Sequence, residues 1–374
     1  MPEFWFKYGV TEVSLEVPEE VNYEHIGFEQ SRLSEDLWRR LTDFAEKLCQ
    51  EAGSRPITIL YDHFGENLLP AILKHLLESL NEGGVREIRL LTSYWMLDPR
   101  SGREHLAKCL KEHGIALKPI EPGECDMVSL GEISVAREIS ESALTIILAD
   151  ITPHGLLGKA SIREALALGG FIKQDSQADL KHYIHASWDI LVSKLPLYAI
   201  AAYDKEVFMG DAREVSRKID KLDLTRVVED YEVVIAGCGG YPKDSSLQSI
   251  AHTIGMLKDS TMDEGMIGII AECKNGLGST SFIEALLAKG GSPLERALAN
   301  LMRDVLSEKR IAFVSALPKS ILKNLLGVRG FDIPQDLLVY ALRIYSKNAK
   351  LLILDEPRVK PVRRATLSQS SGLS

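Results

Sequence analysis

The sequence predicts an α/β protein of two domains with largely parallel sheets, and three observations predict it. Short apolar, β-branched runs alternate with longer helical patterns along the chain. The runs are apolar throughout rather than alternating with polar residues, which suits sheets covered on both faces. At 374 residues the chain exceeds the roughly 250–300 residues at which single cores stop growing.

The strand-like runs fall at 57–61, 88–91, 144–149, 233–236, 267–271, 311–314 and 351–354, and 11–17 also reads as a strand. Between the first two, 68–80 sets Leu69, Ile72, Leu73, Leu76, Leu77 and Leu80 on one helical face. Residues 211–230 are charge-rich and read as helical, leading into the strand that opens at Tyr231. The boundary is therefore placed near Val227, giving domains 1–226 and 227–362. The tail 363–374, basic and then serine-rich without apolar periodicity, is expected to be mobile.

Composition narrows the function. With 45% hydrophobic and 26% charged residues, the chain carries too much apolar surface for disorder to be its main state. Lys and Arg number 44 against 53 Asp and Glu, a net charge of −9, which argues against nucleic acid as partner because phosphate binding needs a basic face. Cys49, Cys109, Cys125, Cys238 and Cys273 show no Cys-x-x-Cys spacing and read as reduced thiols, neither a disulfide framework nor a zinc site. No basic–apolar leader and no run of about 18 apolar residues is present, so the expectation is a soluble, cytoplasmic protein acting on a small molecule, away from membranes.

Several places can carry chemistry. Gly237-Cys238-Gly239-Gly240-Tyr241-Pro242-Lys243-Asp244 follows a strand and precedes a helix starting near Ser245. Glycines there admit close backbone approach to a ligand, and a helix N-terminus offers amides to an anion. The plainer reading is a tight turn with Asp244 capping the helix. A second glycine-bearing loop, 272–278, follows the next strand, so the two are expected to line one crevice. Asp62, Asp150, Glu272 and Asp355 stand at strand ends, where ligands of open α/β sheets gather and where acids also cap helices. His154 after Pro153 and His63 after Asp62 are candidate acid–bases, since imidazole titrates near neutrality. His182 and His185 are three apart on a predicted helix and share a face suited to a metal. Gly-x-Ser-x-Gly and His-Glu-x-x-His are both absent, leaving serine-hydrolase and zinc-protease readings without support.

Residues 236–246 and 264–278 resemble the C-terminal domain of the nickel-dependent lactate racemase family. The shared features are a GGYPxD turn before a helix, then a strand opening on Glu-Gly and closing on Ala-Glu-x-x-x-Gly-x-Gly. The resemblance extends to Tyr8-Gly9-Val10, Asp62-His63 and Pro153-His154, and so spans almost the whole chain in order. It implies two Rossmann-like α/β domains with mainly parallel sheets facing across a cleft. It also implies interconversion of 2-hydroxy acid stereoisomers by a nickel-pincer nucleotide, tethered through a lysine and ligated by a histidine. Hydride would leave and return to the α-carbon, assisted by two histidine acid–bases.

Carried onto this chain, the resemblance implies catalytic roles for His154 and His252. It assigns cofactor contacts to Asp62, His63, Lys159, Gly239, Gly240, Tyr241 and Asp244, and nickel to His182 or His185. Four family positions differ. The carboxylate-binding arginine falls at Gly65, and Ser93-Tyr94-Trp95-Met96 replaces a Gly-x-His-Arg segment. The tethering lysine, ten residues after His154, is Glu164, with Lys159 the nearby amine. A Tyr-Gln-x-x-Lys helix segment becomes Gln248-Ser249-Ile250-Ala251-His252. Two readings stand: a racemase or epimerase of a 2-hydroxy acid, or a non-catalytic paralogue that binds a nucleotide or small organic acid.

Overall fold

The computed structural model describes residues 1–27, 34–63, 68–174, 179–204 and 206–363. Gly65 and residues 364–374 of the expected mobile tail lie outside the described residues. The chain divides into two compact α/β units with mainly parallel sheets. One comprises 1–29, 153–159 and 224–374, and the other 30–152 and 160–223. The first 29 residues and 153–159 group with the sequence from 224 onward.

The unit built on 224–374 holds a six-stranded parallel sheet in the order Arg329–Phe331, Arg310–Val314, Thr261–Ile270, Tyr231–Gly237, Leu351–Leu354, Tyr23–Ile26. Where its central strands cross the core they are apolar, because each serves two cores. Val234, Ala236, Ile267, Ile269, Leu352 and Leu354 bury into one face, while Val233, Ile235, Met266, Ile270, Leu351 and Ile353 bury into the other. Alternate side chains point to opposite faces, so a strand covered on both sides has no polar position. The second core is closed by the antiparallel hairpin Glu3–Tyr8 and Thr11–Glu16, through Phe4, Phe6 and Leu15.

The other unit carries a five-stranded sheet in the order Glu206–Asp211, Leu197–Tyr203, Leu144–Asp150, Ile57–Asp62, Ile88–Ser93. All neighbours are parallel except the edge hairpin 197–211. Helix Leu68–Glu82 buries the predicted stripe Leu69, Ile72, Leu73, Leu76, Leu77 and Leu80 against it. Strand Leu197–Tyr203 carries alanine at 199, 201 and 202, residues of low strand preference, and its run gives no β-branched signal beyond Ile200. The expected long helix over 211–230 is shorter: helix Ala212–Asp220 ends before a strand Thr225–Val228. Among the described residues no helix is long and apolar enough to cross a membrane.

The helix after the glycine turn runs Leu247–Met256, and its cap is Ser246, whose side chain accepts from Ser249 N. Asp244 does not cap it, which corrects that expectation: its carboxylate turns to other backbone amides. Gly239 and Gly240 adopt φ of +84° and +72°. A Cβ on Gly240 would meet Lys7 Cβ at 2.8 Å and Gly9 O at 3.0 Å. Gly276, at φ +78°, has nothing within 4 Å of its Cβ position. Gly276→Ala should therefore cost only the left-handed backbone strain of about 1–2 kcal/mol. Gly240→Ala should cost clearly more, and denaturant midpoints of the two variants against wild type measure the difference.

Candidate functional site

The loop Gly237–Asp244 and the loop 272–278 follow neighbouring strands and are laced together by backbone hydrogen bonds. Cys273 N donates to Asp244 O, Asn275 N to Ser245 O, Leu247 N to Gly276 O, and Gln248 N to Leu277 O. The turn of the N-terminal hairpin joins them, because Tyr241 N donates to Gly9 O at 2.7 Å. Fully buried Asp244 ties the three segments: its Oδ2 accepts from Gly9 N at 2.8 Å and Glu272 N at 3.0 Å. Burial raises its pKa, the two amides oppose that shift, and the Glu272 carboxylate adds to it. The glycines are thus filled by this chain itself: Lys7 and Gly9 occupy the space over Gly240, Glu356 and Lys243 that over Gly239. Lys274 Nζ lies 4.1 Å from the centre of the Tyr241 ring.

His154 closes the strand Thr152–His154, and His252 sits on the helix Leu247–Met256; both are buried. The structure stacks the two imidazoles, with centroids 4.9 Å apart and planes tilted by 10°. Gly155 sets that spacing. A Cβ there would strike His252 O at 2.4 Å and the backbone of Gly255 and Met256 at 2.7 Å, so only glycine brings this segment onto the helix. His154 Nδ1 accepts from Leu156 N and Leu157 N, both at 3.2 Å. Its lone pair is used there, which places the proton of the neutral ring on Nε2 and makes that nitrogen a donor.

Burial holds the His154 pKa well below its ordinary value, and His252 adds to the shift. Burial, then the charge of Lys243, brings His252 from 6.5 to about 3. Beside the pair, buried Lys243 Nζ bonds Glu356 Oε1 at 2.7 Å, while Arg358 Nη2 lies 3.4 Å from Glu356 Oε2. Both cations thus engage the one carboxylate of Glu356.

In the other unit, Asp62 ends the strand Ile57–Asp62 and His63 follows it. Asp62 Oδ2 accepts from Trp95 Nε1 at 3.3 Å. Burial raises its pKa to about 7, the indole bond opposes this, and Glu164 adds to it. His63, pushed down to about 3 by burial and by His105, has Nε2 at 2.8 Å from His105 Nδ1. His182 and His185 are exposed on the helix Leu180–Lys194. Among the described residues the set with metal-ligand spacing is a different one, His63, His105 and Cys109, and all five cysteines are free of disulfides.

Glu164, at the family's lysine position, completes a capping box on the helix Ile162–Leu168 and accepts from Ser161 N at 2.9 Å. Lys159 is half-buried on the short strand Gly158–Ala160. Sequence reasoning passed over Lys243, Glu356, Arg358 and Gly155. Lys243 lay within the quoted turn, but its partner is 113 positions away, and Gly155 had no turn signal to mark it.

No family model matches the chain, and no curated protein matches it in sequence. The fold is similar to the solved structure of the lactate racemase apoprotein from Thermoanaerobacterium thermosaccharolyticum, with a TM-score of 0.72 and 17% identity over 97% of this chain and 100% of that one.

The buried pair has a signature in stability. Both imidazoles stay neutral in the folded protein but protonate once unfolded, so unfolding takes up protons below pH 6.5. Stability is expected to fall as pH drops from 6.5 towards about 3 and to return as pH rises. His252→Gln removes one share of that loss, and denaturant unfolding between pH 7 and 4 should show a shallower acid slope than wild type.

Proposed function

We propose that this chain is a lactate-racemase-like protein that binds a small 2-hydroxy acid on the His154–His252 pair. The observation that supports it is the polarity of the pair. His154 presents an Nε2–H donor, its other nitrogen being engaged by Leu156 and Leu157, and neutral His252 retains one lone pair on its ring. A donor beside an acceptor suits an α-hydroxyl, which needs one of each.

The residues do not fit a lysine-tethered nickel-pincer nucleotide. The tether position is a carboxylate already committed to a helix cap, and a carboxylate offers no amine for that bond. His182 and His185 belong to no cluster of three metal donors among the described residues. Binding without turnover through that cofactor is therefore the reading adopted. The racemase or epimerase alternative rests on the retained histidine pair and on the shared fold.

Calorimetric titration at pH 6 with D- and L-lactate, a bulkier 2-hydroxy acid and propionate is the test. Expected are preference for the hydroxy acids over propionate and a loss of about 10-fold or more in His154→Phe. Equal affinity for propionate overturns hydroxyl recognition. Loss of optical activity of lactate in the presence of cofactor-loaded protein, with a mass increment surviving denaturation, would instead establish the racemase.

A further inference from the structure

We propose that His63, His105 and Cys109 form a binding site for a zinc-class divalent ion. The residues arrive from two elements of one unit. His63 follows the strand Ile57–Asp62, at the carboxyl end of the sheet, where α/β folds gather ligands. His105 and Cys109 stand four apart in the helix Pro99–Glu112, whose first turn is fixed by Asp98 accepting from Ser101 N. That spacing puts both on one face, toward His63. One donor atom from each lies within 4.8 Å of the other two.

The contacts of His105 with the other two donors fit a tetrahedral ion with little adjustment, and the His63 and Cys109 donors lie within 4.8 Å of each other. Bonds of about 2.3 Å to sulfur and 2.0–2.1 Å to nitrogen hold N and S about 3.6 Å apart and two N atoms about 3.3 Å apart. Cys109 Sγ lies 3.6 Å from His105 Nδ1. His63 Nε2 and His105 Nδ1 are 2.8 Å apart, a hydrogen bond, so the rings must part by about 0.5 Å to admit the ion. Tyr61 OH lies 3.3 Å from His63 Nδ1, the outer-shell contact that orients a ligating imidazole. Two imidazoles and a thiolate are a donor set for zinc and its borderline neighbours, and a poor one for magnesium or calcium. Binding exchanges the His63–His105 hydrogen bond for two metal–nitrogen bonds and releases the Cys109 thiol proton to solvent. Three protein ligands leave the fourth position to water. The site shares no residue with the His154–His252 pair and does not rest on the function proposed for it.

Cobalt(II) titration of the whole purified, metal-stripped protein is the test. Expected are one equivalent bound, visible ligand-field bands of tetrahedral cobalt, a near-ultraviolet thiolate-to-cobalt band, and displacement by zinc. Cys109→Ser should lose the thiolate band, and His105→Gln should weaken binding at least 10-fold, while His182→Ala and His185→Ala leave the spectrum unchanged. A second measurement needs no variant: native mass spectrometry of the metal-stripped protein given one equivalent of zinc should show one ion bound per chain. Absence of cobalt bands, persistence of the thiolate band in Cys109→Ser, or no zinc retained by the native protein overturns the proposal.

Discussion

A single buried carboxylate oxygen organises the unit that carries the histidine pair. Asp244 Oδ2 receives amides from Gly9 and from Glu272, which are 235 and 28 positions away. Removing a carboxylate from water is expensive, and charge-assisted hydrogen bonds to backbone amides offset that cost. The hairpin turn, the glycine turn and the loop after the neighbouring strand converge on it, and each is shaped to do so. Gly9 has no room for a Cβ beneath the Glu272 carboxylate, nor has Gly240 against Lys7. The helix bearing His252 begins three residues after Asp244, so the placement of that ring is referred to the same anchor.

The imidazoles themselves are governed by two constraints of different kind. Sterics set their separation, because Gly155 lies directly on the backbone of the helix that carries His252. Hydrogen bonding sets their polarity, because two consecutive amides engage His154 Nδ1 and leave only one tautomer. Burial then keeps both rings uncharged.

The parallel strands were legible because a strand between two cores has no polar position, and Val233-Val234-Ile235-Ala236 declares this locally. The alanine-rich strand Leu197–Tyr203 was not, since its place between two other strands is a tertiary fact that its own residues do not advertise. Local rules also misdirected at Asp244: acid before a helix reads as a cap, and no pattern near it announces Gly9. His154 was legible from its position after a strand. Its partner at His252 entered through family resemblance rather than from any periodicity. The His105–Cys109 spacing was visible in principle as one helical turn, but its third member comes from a strand more than 40 residues earlier.

The excursion of residues 153–159 into the unit otherwise built from the chain's two ends has an evolutionary corollary. No contiguous stretch of coding sequence for that unit alone encodes both rings. Recombination that exchanged everything from 224 onward would replace His252 and its helix while leaving Gly155 and His154 of the older parent in place. The tight Gly155–helix seam would then have to match by chance, so hybrids breaking inside this pairing should be poorly tolerated and the two stretches inherited together.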